Sequence, residues 1–381
     1  MWQIILSGAI FLTAAYCVLI LFYLKCFNQL KHFKPTETVK PLNRFSIIIP
    51  ARNEEANIEK CIRSIVQNNY PADLFEIIVV DDFSSDKTSL VVQNLQQQFL
   101  NLRLIQLKNI AGSIINSYKK KAIETGIYQS SFEWIVTTDA DCVVPKEWLR
   151  LFDAYIQNND SVFVVAPVKF ISKNSLLSIF QSLDFISLQG ITAASVSAGF
   201  HSMCNGANLA YSKNAFNSVN GFKGIDDIAS GDDMLLMHKI KQQNPGQTGY
   251  LFSPGAIVET LPMPGWKSFI NQRIRWASKA SSYKDKRIFI VLLLVYLFNL
   301  CLLLLPFLSI FHSGLLTYWF YFLLAKTVFE MVFMYAVSKF FGAQKLLWWF
   351  PFMQPLHIIY TVVSGLLGRF GTYEWKGRTV K

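Results

Sequence analysis

Trp134-Ile135-Val136-Thr137-Thr138-Asp139-Ala140-Asp141 is the stretch that decides the fold. An apolar and β-branched run that ends on two acids is a poor surface loop and a good central strand. Strand side chains alternate with period two, so Asp139 and Asp141 are expected on one side at its carboxyl end. Two carboxylates on one side suit a hard divalent cation shared with phosphate oxygens. The bland alternative is a strand followed by an ordinary turn, where Asp is common. Asp-x-Asp alone is a weak signal, and the rest of the chain must supply its context.

Working outward, Phe45 to Pro50, Phe75 to Val80, Leu102 to Leu107 and Ser161 to Pro167 also read as strands. Helices are expected from about Ala56 to Gln67, from Lys87 to Phe99 behind a Ser84-Ser85-Asp86 cap, around Lys119 to Gly126, and from Pro145. Strands alternating with helices make parallel β-α-β units, hence an α/β sheet. Ligands of such sheets bind outside the carboxyl ends of the strands. Three of those ends are polar or acidic, at Asn53-Glu54, Asp81-Asp82 and Asp139-Asp141, and are expected to converge on one rim.

Of the 381 residues, 52% are hydrophobic and only 16% charged, against about 25% in a typical soluble domain. The formal net charge is +11. That balance fits either nucleic acid or anionic lipid as partner. The basic residues cluster beside apolar runs and form no aromatic-interleaved stripe, so the membrane is favoured and nucleic acid is not. The six cysteines are scattered with no Cys-x-x-Cys pair, which indicates neither a disulfide framework nor a zinc site.

Ile4 to Leu24 is long enough to span a bilayer. The basic residues that follow it, from Lys25 to Arg44, place residue 25 onward in the cytoplasm by the positive-inside rule. Ile288 to Ile310 and Leu315 to Val337 read as two further spans. Lys326 and Glu330 inside the second are expected to pair with each other. Leu346 to Gly368, with Pro351 and Pro355, reads either as a fourth crossing or as a bent element that returns to the cytoplasm. Ser175 to Phe200 carries a single charge, Asp184, and reads as a core helix or one lying on the membrane.

Two more motifs carry chemistry. Asp232-Asp233 falls where a helix starts, and negative charge is favoured there by the helix macrodipole. That reads as simple capping or as a carboxylate held beside a pocket and able to accept a proton. Gln272, Arg275 and Trp276 fall at i, i+3 and i+4 of an amphipathic helix and project from one side. Amide, guanidinium and indole together can grip an anionic leaving group and stack on a ring. The plain alternative is a basic amphipathic helix at a membrane surface, with Trp266, Phe269, Ile270, Ile274 and Ala277 on its apolar face.

The order Ile49-Pro50-Ala51-Arg52-Asn53-Glu54, Asp81-Asp82, Lys121-Ala122, Asp139-Ala140-Asp141, Asp232-Asp233 and Gln272-x-x-Arg275-Trp276 resembles the membrane-bound family 2 glycosyltransferases. The chain is similar to the branch that contains ceramide glucosyltransferases, poly-N-acetylglucosamine synthases and hyaluronan synthases. Each motif is weak alone, but their order along residues 45–276 is specific. The resemblance implies a GT-A (Rossmann-like) nucleotide-sugar-binding domain flanked by transmembrane helices, and an inverting transfer. It implies that Asn53, Glu54, Asp81 and Asp82 border the base and ribose, with Lys121 near the nucleotide. It implies Asp139 and Asp141 as the hold for a Mg2+ or Mn2+ ion, with Asp139 also on the donor, and Asp232 in the substrate pocket. Asp233 becomes the general base, and Gln272, Arg275 and Trp276 close over the diphosphate and the acceptor. The family often has Tyr or His where Arg52 stands, and Glu where Asp232 stands.

The expected organisation is therefore a membrane helix over residues 1–26, a cytoplasmic catalytic domain over 44–262, an interfacial helix over 263–285, a membrane region of two or three spans over 288–368, and a basic tail over 369–381. The expected activity is hexosyl or N-acetylhexosaminyl transfer, in the cell membrane, from a UDP-linked donor to a membrane lipid or lipid-linked acceptor. With so few spans, single transfer is favoured over a processive polysaccharide synthase, which needs a longer lined channel. A non-catalytic nucleotide-binding membrane protein is the alternative from another class.

Overall fold

The structure, a computed structural model, describes the chain except residues 1, 36–38, 110–116, 172, 202, 229–230, 280–282, 284, 371–372, 376–377 and 381. Parts of the expected interfacial helix over 263–285 and basic tail over 369–381 thus lie outside the described residues.

The centre is a seven-stranded sheet. Its parallel half is built from β1 (Phe45–Ala51), β2 (Phe75–Asp81), β3 (Leu102–Gln106) and β4 (Trp134–Thr137), in the order β3-β2-β1-β4. Ile48 pairs with Ile78 on one side and Thr137 on the other. β1 and β2 are almost wholly buried because helices cover both faces, and their β-branched runs suit that environment. The covering helices are α2 (Ile58–Val66), α3 (Thr88–Gln96), α4 (Tyr118–Tyr128) and α5 (Trp148–Asn158).

Beyond β4 the sheet turns mixed, which differs from the purely parallel expectation. β5 (Phe163–Val165) does not pair with β4, and β6 (Val168–Phe170) leaves for a small second sheet. After α6 (Leu176–Ser197) the chain returns as β7 (Leu209–Ser212), which inserts antiparallel between β4 and β5. Its four residues carry too short a pattern to be read from sequence. α7 (Lys213–Ser218), α8 (Met234–Gln243), β8 (Thr248–Tyr250) beside β5, and β9 (Val258–Thr260) beside β6 complete the domain.

Two expectations need correction. β4 ends at Thr137, so Asp139 and Asp141 sit on the turn after it and not on the strand. The Cys142 N–H donates to the Asp139 carbonyl at 3.1 Å and closes that turn. Turn geometry, and not strand alternation, therefore directs the two carboxylates. α6 is a core helix, largely buried between α1 (Trp2–Asn28) and the sheet, and the surface-lying alternative falls away.

Among the described residues, five helices are long and apolar enough to cross a membrane by length and composition: α1, α6, α10 (Lys286–Leu308), α11 (Gly314–Phe341), and the segment Gln344–Arg369, whose α-helical part is α12 (Phe350–Phe370). α1, α10 and α11 form a bundle through pairs such as Tyr16–Phe298 and Phe27–Phe333. Lys326 and Glu330 pair at 2.8 Å as expected, and Gln354 of α12 and Tyr16 of α1 close the polar knot. α12 continues through Pro355 as one helix. It runs beside α9 (Trp266–Ala277) in the same direction: Phe269 meets Tyr360 at 5.5 Å, and eight residues further along both chains Ala277 meets Gly368.

Candidate active site

The site is assembled on the carboxyl rim of β1, β2 and β4. A cavity of about 800 Å3 is lined there by Arg52, Glu54, Asp82, Lys119, Asp139, Asp141, Asp232 and Asp233. It continues past Gln272, Arg275 and Trp276 and extends between the long helices to Tyr16, Leu293, Phe333 and Met353.

Lys119, in the first turn of α4, ties the two acidic motifs together. Its Nζ lies 2.8 Å from Asp139 Oδ1 and 3.4 Å from Asp232 Oδ2. Burial works against the ammonium, but Asp139 and Asp232 hold its pKa well above the ordinary lysine value. Asp232 is buried as well, which raises its pKa, yet Lys119 and Lys279 bring it below the usual carboxylate range. Both groups are thus charged.

Asp233 caps α8. Its Oδ1 accepts from the Met234 N–H at 2.7 Å, and its Oδ2 accepts from the Gly206 N–H at 3.1 Å. The residue both caps the helix and lines the cavity. Gly206 has a steric reason: a Cβ there would stand 3.2 Å from Asp232 Oδ2 and 3.6 Å from Lys119 Nζ. Thr137 Oγ1 donates to the Gly206 carbonyl at 2.9 Å and pins this loop to the end of β4.

Three residues expected at the site do not reach the cavity. Lys121 sits on the outer side of α4 and pairs with Glu124 at 3.1 Å, and Lys119 lines the cavity instead. Residues two apart on a helix lie about 200° apart, so the two lysines face opposite ways. Asp81 turns inward, its oxygens accepting from the Ser84 N–H at 3.2 Å and Ser89 Oγ at 2.8 Å. Asn53, at φ 52°, accepts from the Ser85 N–H at 2.8 Å and shapes the loop. Arg52 lines the cavity instead, donating to the Asp82 and Phe83 carbonyls at 2.9 and 3.1 Å.

Helical spacing holds the signal for Lys119. It lies three and four residues before Ala122 and Ile123, both buried, and so on the inward face. A second residue outside the motifs is Arg273. It is buried, 2.6 Å from Asp184 and stacked 4.2 Å over Trp276. Tyr360 also donates to Asp184. A lone acid in an apolar helix requires such a partner. Arg273 thereby backs Trp276, which lines the cavity together with Gln272 and Arg275.

Asp139 and Asp141 present oxygen donors to the cavity, the ligand type that Mg2+ and Mn2+ take together with phosphate. The Lys119 ammonium already lies against Asp139, so this position favours a cation. The residues therefore fit such an ion, although no cluster of three or more His, Cys, Asp or Glu occurs among the described residues.

The mixed sheet with its acidic rim is the architecture of GT-A glycosyltransferases. It is similar to the mannosyltransferase PcManGT from Pyrobaculum calidifontis, solved with GDP-Man and Mn2+, with a TM-score of 0.61 and 19% identity over 95% of this chain and 99% of that one. Residues 46–218 match the model for glycosyl transferase family 2, and residues 134–364 that for glycosyl transferase family group 2. The chain belongs to the family 2 glycosyltransferases. Similar curated proteins include the probable glycosyltransferase YdaM of Bacillus subtilis, 28% identical over 63% of this chain and 56% of that protein. Another is the poly-beta-1,6-N-acetyl-D-glucosamine synthase of Staphylococcus epidermidis, 25% identical over 66% and 58%. A third is the beta-monoglucosyldiacylglycerol synthase of Synechocystis, 31% identical over 29% and 22%. The chain spans a little over half the length of the first two.

Proposed function

We propose that the protein transfers a sugar from a nucleotide-diphospho-sugar to a membrane lipid with inversion at the anomeric carbon. One observation carries the lipid acceptor: a single cavity joins Asp233 to the space between α1, α10, α11 and α12. A polar donor fits the rim, and an apolar chain fits the helical end.

In this reading Arg52, Glu54 and Asp82 border the nucleoside, and Arg275 faces the diphosphate. Asp139 and Asp141 would hold a divalent ion, which when bound supplies charge neutralisation to the leaving diphosphate. Asp233 takes the proton from the acceptor hydroxyl as its oxygen attacks the anomeric carbon. The bond from that carbon to the diphosphate oxygen breaks, and its electron pair leaves with the nucleoside diphosphate. The two backbone N–H groups on Asp233 fix the carboxylate and leave lone pairs for the incoming proton. Trp276, held by Arg273, offers a face for the acceptor head.

We further place the catalytic domain in the cytoplasm and the bundle in the cell membrane, following the distribution of basic residues. The donor is UDP-linked in this proposal.

Membranes containing the protein are to be incubated with labelled UDP- and GDP-sugars plus Mn2+. Label in an organic-extractable product is expected; label only in high-mass polymer would favour a processive synthase, and no transfer would sink both. Asp233→Asn should cut turnover by about 10²–10⁴-fold while nucleoside diphosphate still binds. Near-normal turnover in that variant would remove Asp233 as the base.

A further inference from the structure

Five Lys or Arg side chains line the cavity, and three are engaged. Lys119 is paired with Asp139 and Asp232, Arg52 donates to two carbonyls, and Arg275 has a partner. Lys279 and Arg369 have no hydrogen bond or ion pair within 4.0 Å among the described residues. Lys279 is only 8% exposed. Its stem passes over Gly231, where a Cβ would stand 3.6 Å from Lys279 Cδ. A buried ammonium without a direct partner is costly unless an anion completes it.

The two cations come from different helices to one place. Lys279 is three residues after Trp276 and four after Arg275, on the turn that ends α9. Arg369 is in the last turn of α12. Gly368 brings these ends together: a Cβ there would stand 2.7 Å from Ala277 Cβ and 3.0 Å from the Ser278 nitrogen. Both side chains line the cavity that also holds Asp232 and Asp233. Asp232, the acid that Lys279 influences, is already bound by Lys119.

We propose that Lys279 and Arg369 form a phosphate-binding site at this junction. The phosphate belongs either to the donor's diphosphate or to a lipid acceptor. The inference rests on the proposed nucleotide-sugar chemistry, but its test does not need turnover. Two ammonium or guanidinium donors on one phosphate give charge-assisted hydrogen bonds, which are stronger than neutral ones. Nothing else in the cavity offers uncommitted positive charge among the described residues.

The test uses the purified full chain in detergent, with Lys279→Gln, Lys279→Arg and Arg369→Gln. Calorimetry compares UDP with UMP and GDP with GMP, and then a polyprenyl monophosphate with a diacylglycerol. If the donor supplies the phosphate, Lys279→Gln weakens the cognate nucleoside diphosphate at least about tenfold, leaves the monophosphate within twofold, and Lys279→Arg restores most of the loss. If a lipid supplies it, diphosphate affinity holds, and polyprenyl monophosphate binding falls about tenfold while diacylglycerol binding does not. Arg369→Gln, at an exposed position, gives the smaller change in the same direction and controls for misfolding. If both Gln variants keep all these affinities within twofold of the parent, the proposal is overturned. Failure of the parent to transfer any sugar, with these affinity losses present, would instead count against the proposed activity alone.

Discussion

Three consecutive lysines in α4 have three different fates. Lys119 faces the aspartates, Lys120 donates to the Ile225 and Ile228 carbonyls in the interior, and Lys121 pairs with Glu124 outside. Steps of 100° per residue separate them. Lys119→Met should reduce turnover about 10²-fold or more, as removal of a preorganised charge does. Lys121→Ala should stay within about twofold in the same labelled-sugar assay. His201 allows a test by pH. Its Nε2 lies 2.9 Å from Tyr23 Oη and 3.1 Å from Ser195 Oγ. Burial pushes its pKa down from 6.5 to about 4, with Asp285 opposing and Lys241 and Arg287 assisting. The folded chain thus keeps the imidazole neutral where the unfolded chain is protonated. Its contribution is whole above pH 6.5 and is lost as pH falls from 6.5 towards 4. Melting of the purified protein should decline over that window by at most about 1.4 kcal/mol per pH unit from this group. His201→Gln should flatten the slope.

At the scale of elements, α6, α9 and α12 meet at Arg273, Asp184 and Tyr360. Asp184 ties the three helices by accepting from both Arg273 and Tyr360, and Arg273 packs over Phe269 and Trp276 and so sets the indole. Asp184→Asn leaves a buried guanidinium uncompensated and should cost about 3–5 kcal/mol. The pair replaced together, Asp184→Leu with Arg273→Met, should recover much of that stability by thermal unfolding. Transfer should remain low in the double variant, because the stack that holds Trp276 is gone. Recovery of both properties together would show that the ion pair serves stability alone.

For the whole molecule, the path of α12 bears on where the chain ends. Its last turn abuts Ala277 and Ser278, shortly before α10 starts at Lys286. The end of α12 and the start of α10 therefore share one end of the bundle. On the proposed cytoplasmic placement of the catalytic domain, Arg369 falls on the cytoplasmic side too, without the conflict with the positive-inside rule that a fourth full crossing would create. An impermeant maleimide should label Arg369→Cys in inverted vesicles and spare it in right-side-out cells. Labelling only in intact cells would restore the crossing.

The α/β class, the acidic rim, the helix-start Asp233 and the apolar helices were legible in the chain because each follows from local pattern: buried runs, caps and hydrophobic length. β7 was not, since four residues in an antiparallel insertion have no local mark. Nor was the exchange of Asp81, Asn53 and Lys121 for Arg52 and Lys119, which depends on the direction a side chain takes from its element. Arg273, Lys279 and Arg369 were hidden for a further reason. Their roles depend on partners, or on the lack of one, in segments distant in sequence. Only the packing of α9 against α6 and α12 brings those segments together and decides which charges are neutralised and which remain open to the cavity.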